Sequence, residues 1–162
     1  MKTLVAYYSR TGTNRSVAEK LSEELGADLD EILDKKKRGG AIGWLGAGAA
    51  AYRQKMTEIE TKIDPAQYDS IILCSPIWAG KITPPLRTYL AKRDLKGKKL
   101  AFVFVCGGGD SSGAIEELKK ILPEVHLGKT LSLSTEDVKE SRYQEKVEEF
   151  AKNLGGTRPD TG

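Results

Sequence analysis

Hydroxyl, amide and glycine residues are concentrated in one short stretch near the start of the chain. An apolar run with the composition of a buried strand, Thr3-Leu4-Val5-Ala6-Tyr7-Tyr8, leads directly into the polar loop, Ser9-Arg10-Thr11-Gly12-Thr13-Asn14. Apolar residues then recur at spacings of three and four, which predicts an amphipathic helix packed on a sheet through Val17, Ala18, Leu21 and Leu25. The polar loop therefore joins a strand to a helix N-terminus.

A loop in this position favours an anion. The first N–H groups of a helix have no intrahelical partner, and the helix dipole adds partial positive charge. Gly12 has no Cβ and lets the backbone approach a ligand closely. The alternative is a plain N-cap, but one cap needs one polar residue, and Ser9, Thr11, Thr13 and Asn14 all surround Gly12. The dinucleotide and nucleoside-triphosphate patterns are absent, so the loop predicts a monophosphate site.

Two more unusual loops follow predicted strands. Residues 68–74 are a near-continuous apolar run, typical of a parallel strand buried on both faces, and lead into the tryptophan turn: Pro76, Ile77, Trp78, Ala79 and Gly80. Residues 99–106 form the strongest strand pattern and lead into the glycine loop: Gly107, Gly108, Gly109 and Asp110. Trp78 either covers the sheet edge or stacks on a planar ligand, and its place beside a phosphate site favours stacking.

The remaining patterns alternate strands and helices. We expect a weak strand at 28–33, a helix at 86–92 after Pro84 and Pro85, a helix at 114–122, an edge strand at 127–133 and a last helix at 141–153. The small-residue stretch 41–56, after the basic run 35–38, predicts a second helix; a lid near the ligand and a membrane-surface segment are the alternatives. This alternation of strands and helices predicts an α/β fold with a five-stranded parallel sheet of order 2-1-3-4-5 and helices on both faces.

The three loops together resemble those of the flavodoxin family. In that family the first strand ends in a [T/S]xTGxT turn around the phosphate of flavin mononucleotide (FMN), matched here by Ser9, Thr11, Gly12 and, with an amide in place of a hydroxyl, Asn14. The family's second loop often places a Trp beside the isoalloxazine ring. Its third loop, CGDSS, is similar to Gly109-Asp110-Ser111-Ser112 with Cys106 upstream. The resemblance implies a flavodoxin-like three-layer sandwich with FMN bound by all three loops, and no metal or catalytic side chain.

Three positions depart from the family pattern. Arg10 is unusual in a loop that typically holds its dianion with neutral donors, and Ala79 separates Trp78 from Gly80. Gly113 stands where the family commonly has a Tyr over the other ring face. If that face is open, a nicotinamide or quinone could stack there; the alternative is that Tyr7, Tyr52 or Trp44 covers it.

Composition narrows the class of protein. With 162 residues we expect one domain over 1–156 and a loose tail at 157–162. A net charge of +3 is too small to indicate nucleic acid, and because flavodoxins are usually acidic it implies different redox partner proteins. No membrane span or signal peptide is apparent, which predicts a cytoplasmic protein. Cys74 and Cys106 lack metal spacing and are expected as reduced core residues.

Three functions remain open from the sequence. The first is an electron carrier between redox partner proteins, as a monomer or homodimer. The second is an NAD(P)H-dependent FMN quinone or flavin reductase. A non-redox response-regulator-like domain would need an acidic pair after the first strand and an Asp after the third, where Tyr8-Ser9 and Ser75-Pro76 stand instead.

Overall fold

A parallel sheet forms the centre of the protein. The computed structural model describes residues 2–36, 56–123 and 127–154. In this part of the chain five parallel strands pair in the order β2-β1-β5-β7-β8, which confirms the predicted order 2-1-3-4-5. Their bounds are β1 Thr3–Tyr7, β2 Asp28–Glu31, β5 Ser70–Trp78, β7 Lys99–Cys106 and β8 Leu127–Ser134. The predicted helix at 41–56 (except Met56) and the tail at 157–162 lie outside the described residues.

Helices cover both faces of the sheet. Those described are α1 Thr13–Leu25, α2 Pro84–Lys92, α3 Ser112–Ile121, α4 Thr135–Lys139 and α5 Tyr143–Asn153. Residues of α2 and α3 pack in one apolar cluster with alternate strand residues, including Leu86, Leu118, Phe102 and Phe104. Residues of α1 and α5 pack in a second cluster on the opposite face, including Val17, Leu21, Val103 and Phe150. None of the described helices combines the length and apolar composition that crossing a bilayer requires.

Burial on both faces explains the apolar runs of the central strands. Phe102 and Phe104 lie on one face of β7 and Val103 and Val105 on the other, and none of the four is more than 3% exposed. A strand covered on both sides needs apolar side chains at every position, not at alternate ones. This is why strand β7 has the bounds that the sequence predicts.

Several predicted boundaries are wrong at strand ends. The strand expected at 28–33 ends at Glu31, and β3 (Leu33–Asp34) instead pairs antiparallel with β4 (Ile59–Glu60). Strand β5 continues four residues beyond the predicted Cys74, because its far end still pairs with β7 as far as Pro76. It then pairs antiparallel with β6 (Lys81–Ile82), a strand that the sequence did not predict.

The last helix begins two residues later than predicted. The pattern predicts a helix at 141–153, whereas α5 starts at Tyr143, and a turn separates it from the short helix α4, which the sequence did not predict. Ser141 lies in this turn at φ 60°, a left-handed conformation that ends a right-handed helix. Val147, Phe150 and Ala151 are buried as predicted.

Candidate functional site

The three predicted loops follow neighbouring parallel strands. Strand β5 pairs with β1 on one side and with β7 on the other, so the carboxyl ends of all three lie at one edge of the sheet. The winding of the chain reverses between β1 and β5, and ligands of open α/β sheets bind at such a switch point. The fold therefore places the polar loop, the tryptophan turn and the glycine loop at the expected ligand-binding edge.

The polar loop leaves the N-terminus of α1 without a side-chain cap. Gly12 is the N-cap residue at φ 90°, no side chain accepts a hydrogen bond from the first turn, and that turn holds no acidic residue. The Gly12 N–H donates to Ser9 Oγ at 3.0 Å, and Thr11 Oγ1 lies 3.2 Å from Thr13 Oγ1. A 13-residue helix with an uncapped start and nearby hydroxyls is suited to an anion.

Asn14 supplies a second observation at the same place. Its side chain is only 3% exposed, and Oδ1 accepts no hydrogen bond from the described residues. A buried amide oxygen that accepts no hydrogen bond is costly. A half turn about the Cβ–Cγ bond exchanges the oxygen and the nitrogen of the amide, so that the NH₂ group occupies the position of Oδ1 and can donate a hydrogen bond from it. A phosphate ester accepts hydrogen bonds and would satisfy that NH₂ group. Arg10, half-buried in the loop, adds positive charge beside it.

The tryptophan turn is a β-hairpin and not the open loop that the sequence predicts. Pro76, Ile77 and Trp78 belong to β5, and the turn residues Ala79 and Gly80 have φ values of 52° and 72°. Two successive residues with positive φ are typical of a type I′ turn, which matches the twist of the flanking strands. Gly80 adopts this conformation without strain, whereas the Cβ of Ala79 makes it unfavourable by about 1 kcal/mol.

Trp78 is held edge-on by a residue that sequence reasoning missed. The indole is half-buried, and its ring centroid lies 5.6 Å from that of Tyr8 at an interplanar angle of 80°. Tyr8 is 5% exposed and follows β1 directly. Its position at the end of an apolar run and directly before the polar loop could have predicted that Tyr8 lies beside the site. The contact connects the first loop to the tryptophan turn.

The glycine loop presents backbone and small side chains. Cβ atoms added to Gly107 or Gly108 would meet no atom within 4 Å, and the N–H of Gly109 donates to Cys106 O at 3.2 Å. Asp110 accepts from the Ser112 N–H at 2.9 Å, and this backbone hydrogen bond lowers the pKa of its carboxyl group. The loop thus combines open backbone with a stabilised carboxylate.

The two cysteines differ in their surroundings. Cys74 is free and buried, and burial raises the pKa of its thiol to about 12, so it is a core residue as predicted. Cys106 is free but half-buried, which corrects the expectation of a core position. Burial also raises its pKa, and its Sγ donates to Asp110 O at 3.4 Å. Among the described residues no His, Cys, Asp or Glu cluster is arranged to hold a metal.

Gly113, at the start of α3 just after the glycine loop, lies against the backbone of the tryptophan turn. A Cβ on Gly113 would lie 2.5 Å from the carbonyl oxygen of Gly80, so the hairpin rests directly on the first turn of α3. The sequence indicated only that Gly113 replaces a family Tyr. The structure instead explains this glycine by the close approach of the hairpin backbone.

These features define a class of protein: an α/β domain with a polar loop at an uncapped helix N-terminus, an aromatic hairpin and a glycine loop at one sheet edge. The sequence model described as flavodoxin matches residues 2–150. The chain belongs to the flavodoxin family.

Solved structures have the same fold as this chain. The chain is similar to a candidate flavoprotein from Bacteroides uniformis, with a TM-score of 0.80 and 27% identity over 93% of this chain and 97% of that one. A flavoprotein from Lactobacillus acidophilus, solved in complex with FMN, shares the fold with a TM-score of 0.69 and 23% identity, covering 88% and 97%.

An uncharacterised protein from Archaeoglobus fulgidus is 31% identical over 104 residues. That match covers 64% of this chain and 65% of the relative's length.

We predict that Gly113→Ala destabilises the apoprotein by about 1 to 2 kcal/mol. An alanine inside a helix normally stabilises by about 1 kcal/mol, but a contact of 2.5 Å with a backbone carbonyl forces a shift at the upper end of the overpacking range, about 2 to 3 kcal/mol. Urea unfolding measures the difference. Gly108→Ala, where space is open, is the control and should leave stability unchanged or slightly higher. A Gly113→Ala variant as stable as wild type would contradict the contact.

Proposed function

We propose that this chain binds FMN and carries electrons between redox partner proteins. The observation that carries the proposal is the uncapped N-terminus of α1 with the buried Asn14 side-chain amide, whose NH₂ group can be turned into the position that Oδ1 occupies without a partner. The FMN complex of the similar Lactobacillus acidophilus flavoprotein supports the same ligand here. When bound, FMN supplies the redox chemistry, and the chain binds and orients it.

Each loop has a distinct role in the proposal. The polar loop holds the phosphate through backbone N–H groups and through Ser9, Arg10, Thr11, Gly12, Thr13 and Asn14. The tryptophan turn borders the ring through Pro76, Ile77, Trp78, Ala79 and Gly80. The glycine loop contacts the polar edge of the ring through Gly107, Gly108, Gly109 and Asp110. The missing side-chain cap of α1 and the open space beside Gly107 and Gly108 support the first and third of these roles.

The alternative function is an NAD(P)H-dependent quinone or flavin reductase. It is favoured by Gly113, which stands where the family commonly has a Tyr over the second ring face, so that a second planar molecule could stack on that face. A carrier needs only electron transfer at the ring edge, whereas a reductase needs room for a stacked hydride donor. The two functions therefore differ in their reaction with NAD(P)H.

We predict that Thr11→Ala combined with Asn14→Ala weakens FMN binding about 100-fold, because two hydrogen bonds to a charged phosphate are lost. The affinity for riboflavin, which has the same ring and no phosphate, should change less than about threefold. Fluorescence titration of the apoprotein with each flavin measures both constants.

Asn153→Ala is the matched control, since Asn153 is exposed at the end of α5 and remote in sequence from all three loops. It should leave both flavin affinities unchanged. Equal losses for FMN and riboflavin in the double variant, or no loss of either, would refute the phosphate assignment.

We predict that the FMN-loaded protein, mixed with NADH or NADPH in an anaerobic stopped-flow instrument, bleaches no faster than free FMN. A carrier accepts electrons from a partner protein and has no site that holds NADH or NADPH against the flavin for hydride transfer. Loss of flavin absorbance near 450 nm, about the usual flavin maximum, reports the reaction. Rapid bleaching that saturates with nucleotide concentration would instead establish the reductase.

A further inference from the structure

A buried ion pair lies between α2 and α3, behind the tryptophan hairpin. Arg87 is 6% exposed and Glu117 is 3% exposed. Arg87 Nε donates to Glu117 Oε1 at 3.1 Å, and Nη2 donates to the same oxygen. Removing two charges from water costs about as much as their attraction returns, so a buried pair is weak evidence of a purely stabilising role. Its other contacts indicate its role.

Both side chains also bind the backbone of Ile82. The Ile82 N–H donates to Glu117 Oε2 at 3.0 Å, and Arg87 Nη2 donates to the carbonyl oxygen of Ile82 at 3.0 Å. Ile82 is 0% exposed, so neither backbone group can turn to water. The ion pair therefore satisfies the donor and the acceptor of a single strand residue.

The geometry of the hairpin explains why Ile82 needs these partners. Trp78 pairs with Lys81 next to the two-residue turn, and Ile77 pairs with Ile82. Successive pairs in an antiparallel ladder alternate, so the backbone groups of one of every two residues point away from the neighbouring strand. Those of Ile82 meet Glu117 and Arg87 where a further strand would otherwise pair. The ion pair thus replaces a missing strand on the outer side of β6.

So short a strand depends on contacts beyond its own ladder, among them the packing of Ile82 in the apolar cluster of α2 and α3. Strand β6 has two residues, and Ile82 is directly followed by Thr83, whose Oγ1 lies 3.0 Å from Ser75 Oγ on β5. Gly113 of α3 supports the turn itself, and Glu117 lies one helical turn further along the same helix. Helix α3 therefore contacts the hairpin at its turn and at its base.

We propose that Arg87 and Glu117 are positioning residues that fix the Trp78 hairpin in the orientation needed to contact the flavin ring; this rests on the proposed FMN site. They act through the backbone of Ile82. Ile82 is bonded to Lys81, and Lys81 pairs with Trp78 across the hairpin. A loosened hairpin loses the ring contact, while the polar loop, to which the hydrogen bonds of the ion pair described above do not extend, keeps the phosphate contact.

The test replaces the pair by apolar residues of similar size, Arg87→Met with Glu117→Leu. The replacement removes both buried charges together but leaves the Ile82 N–H and carbonyl without side-chain partners, so the unfolding midpoint is measured beside flavin affinity to separate stability from positioning. The variant is made in a Trp44→Phe background, which leaves Trp78 as the remaining tryptophan of the chain. The matched control is Glu116→Gln with Lys119→Gln, which removes the exposed ion pair of the same helix.

Four quantities are measured for each protein: the thermal unfolding midpoint, FMN affinity, riboflavin affinity and quenching of Trp78 fluorescence by bound flavin. We expect the apolar variant to fold and to bind FMN and riboflavin at least about tenfold more weakly, equal to about 1.4 kcal/mol, with reduced quenching. Because the phosphate contact is kept, both flavins should lose affinity by the same factor. The control should match the background protein.

A folded apolar variant with unchanged riboflavin affinity and unchanged quenching would overturn the proposal. If that variant does not fold, Glu117→Gln decides, because it keeps the shape and one acceptor oxygen. A loss of riboflavin affinity of about threefold or more, with reduced quenching, then supports the proposal, and unchanged values overturn it. Failure of the background protein itself to bind either flavin would refute the proposed function instead, so the two failures are distinguishable.

Discussion

The parallel pairing of β5 with both β1 and β7 is the constraint on which the candidate site depends. It brings the ends of three strands, which are far apart in sequence, to one edge of the sheet. The apolar clusters on the two faces hold that pairing in place, since every central position is buried on one side or the other. Without this core the polar loop would be an isolated helix start, with nothing to bind the rest of a ligand.

The three loops differ in the physical property that each contributes. The polar loop offers unpaired N–H groups at a helix start, the tryptophan turn offers an apolar surface, and the glycine loop offers open backbone. Two contacts join them: the edge-on packing of Tyr8 against Trp78, and the close approach of Gly80 to Gly113. Together they connect the three loops at this edge of the sheet.

The sequence predicted the strand order and the place of the three loops, because both follow from local patterns: apolar runs, Gly12, and helical spacing in α1. It did not predict β6, since two residues give no pattern. It also missed the roles of Gly113 and of the Arg87–Glu117 pair, because these depend on contacts between residues 30 or more apart in the chain. The start of the last helix was predicted two residues too early, because nothing in the sequence signals the left-handed conformation of Ser141.

Amide chemical shifts during an FMN titration test the central claim most directly. The account predicts that the largest changes in a ¹H–¹⁵N correlation spectrum fall on the amides of Gly12, Thr13, Asn14, Gly80 and Gly108. The resonances of amides at the opposite edge of the sheet, such as that of Tyr68, should not shift. Changes confined to one loop, or located mainly at the opposite edge, would contradict a site built from all three loops.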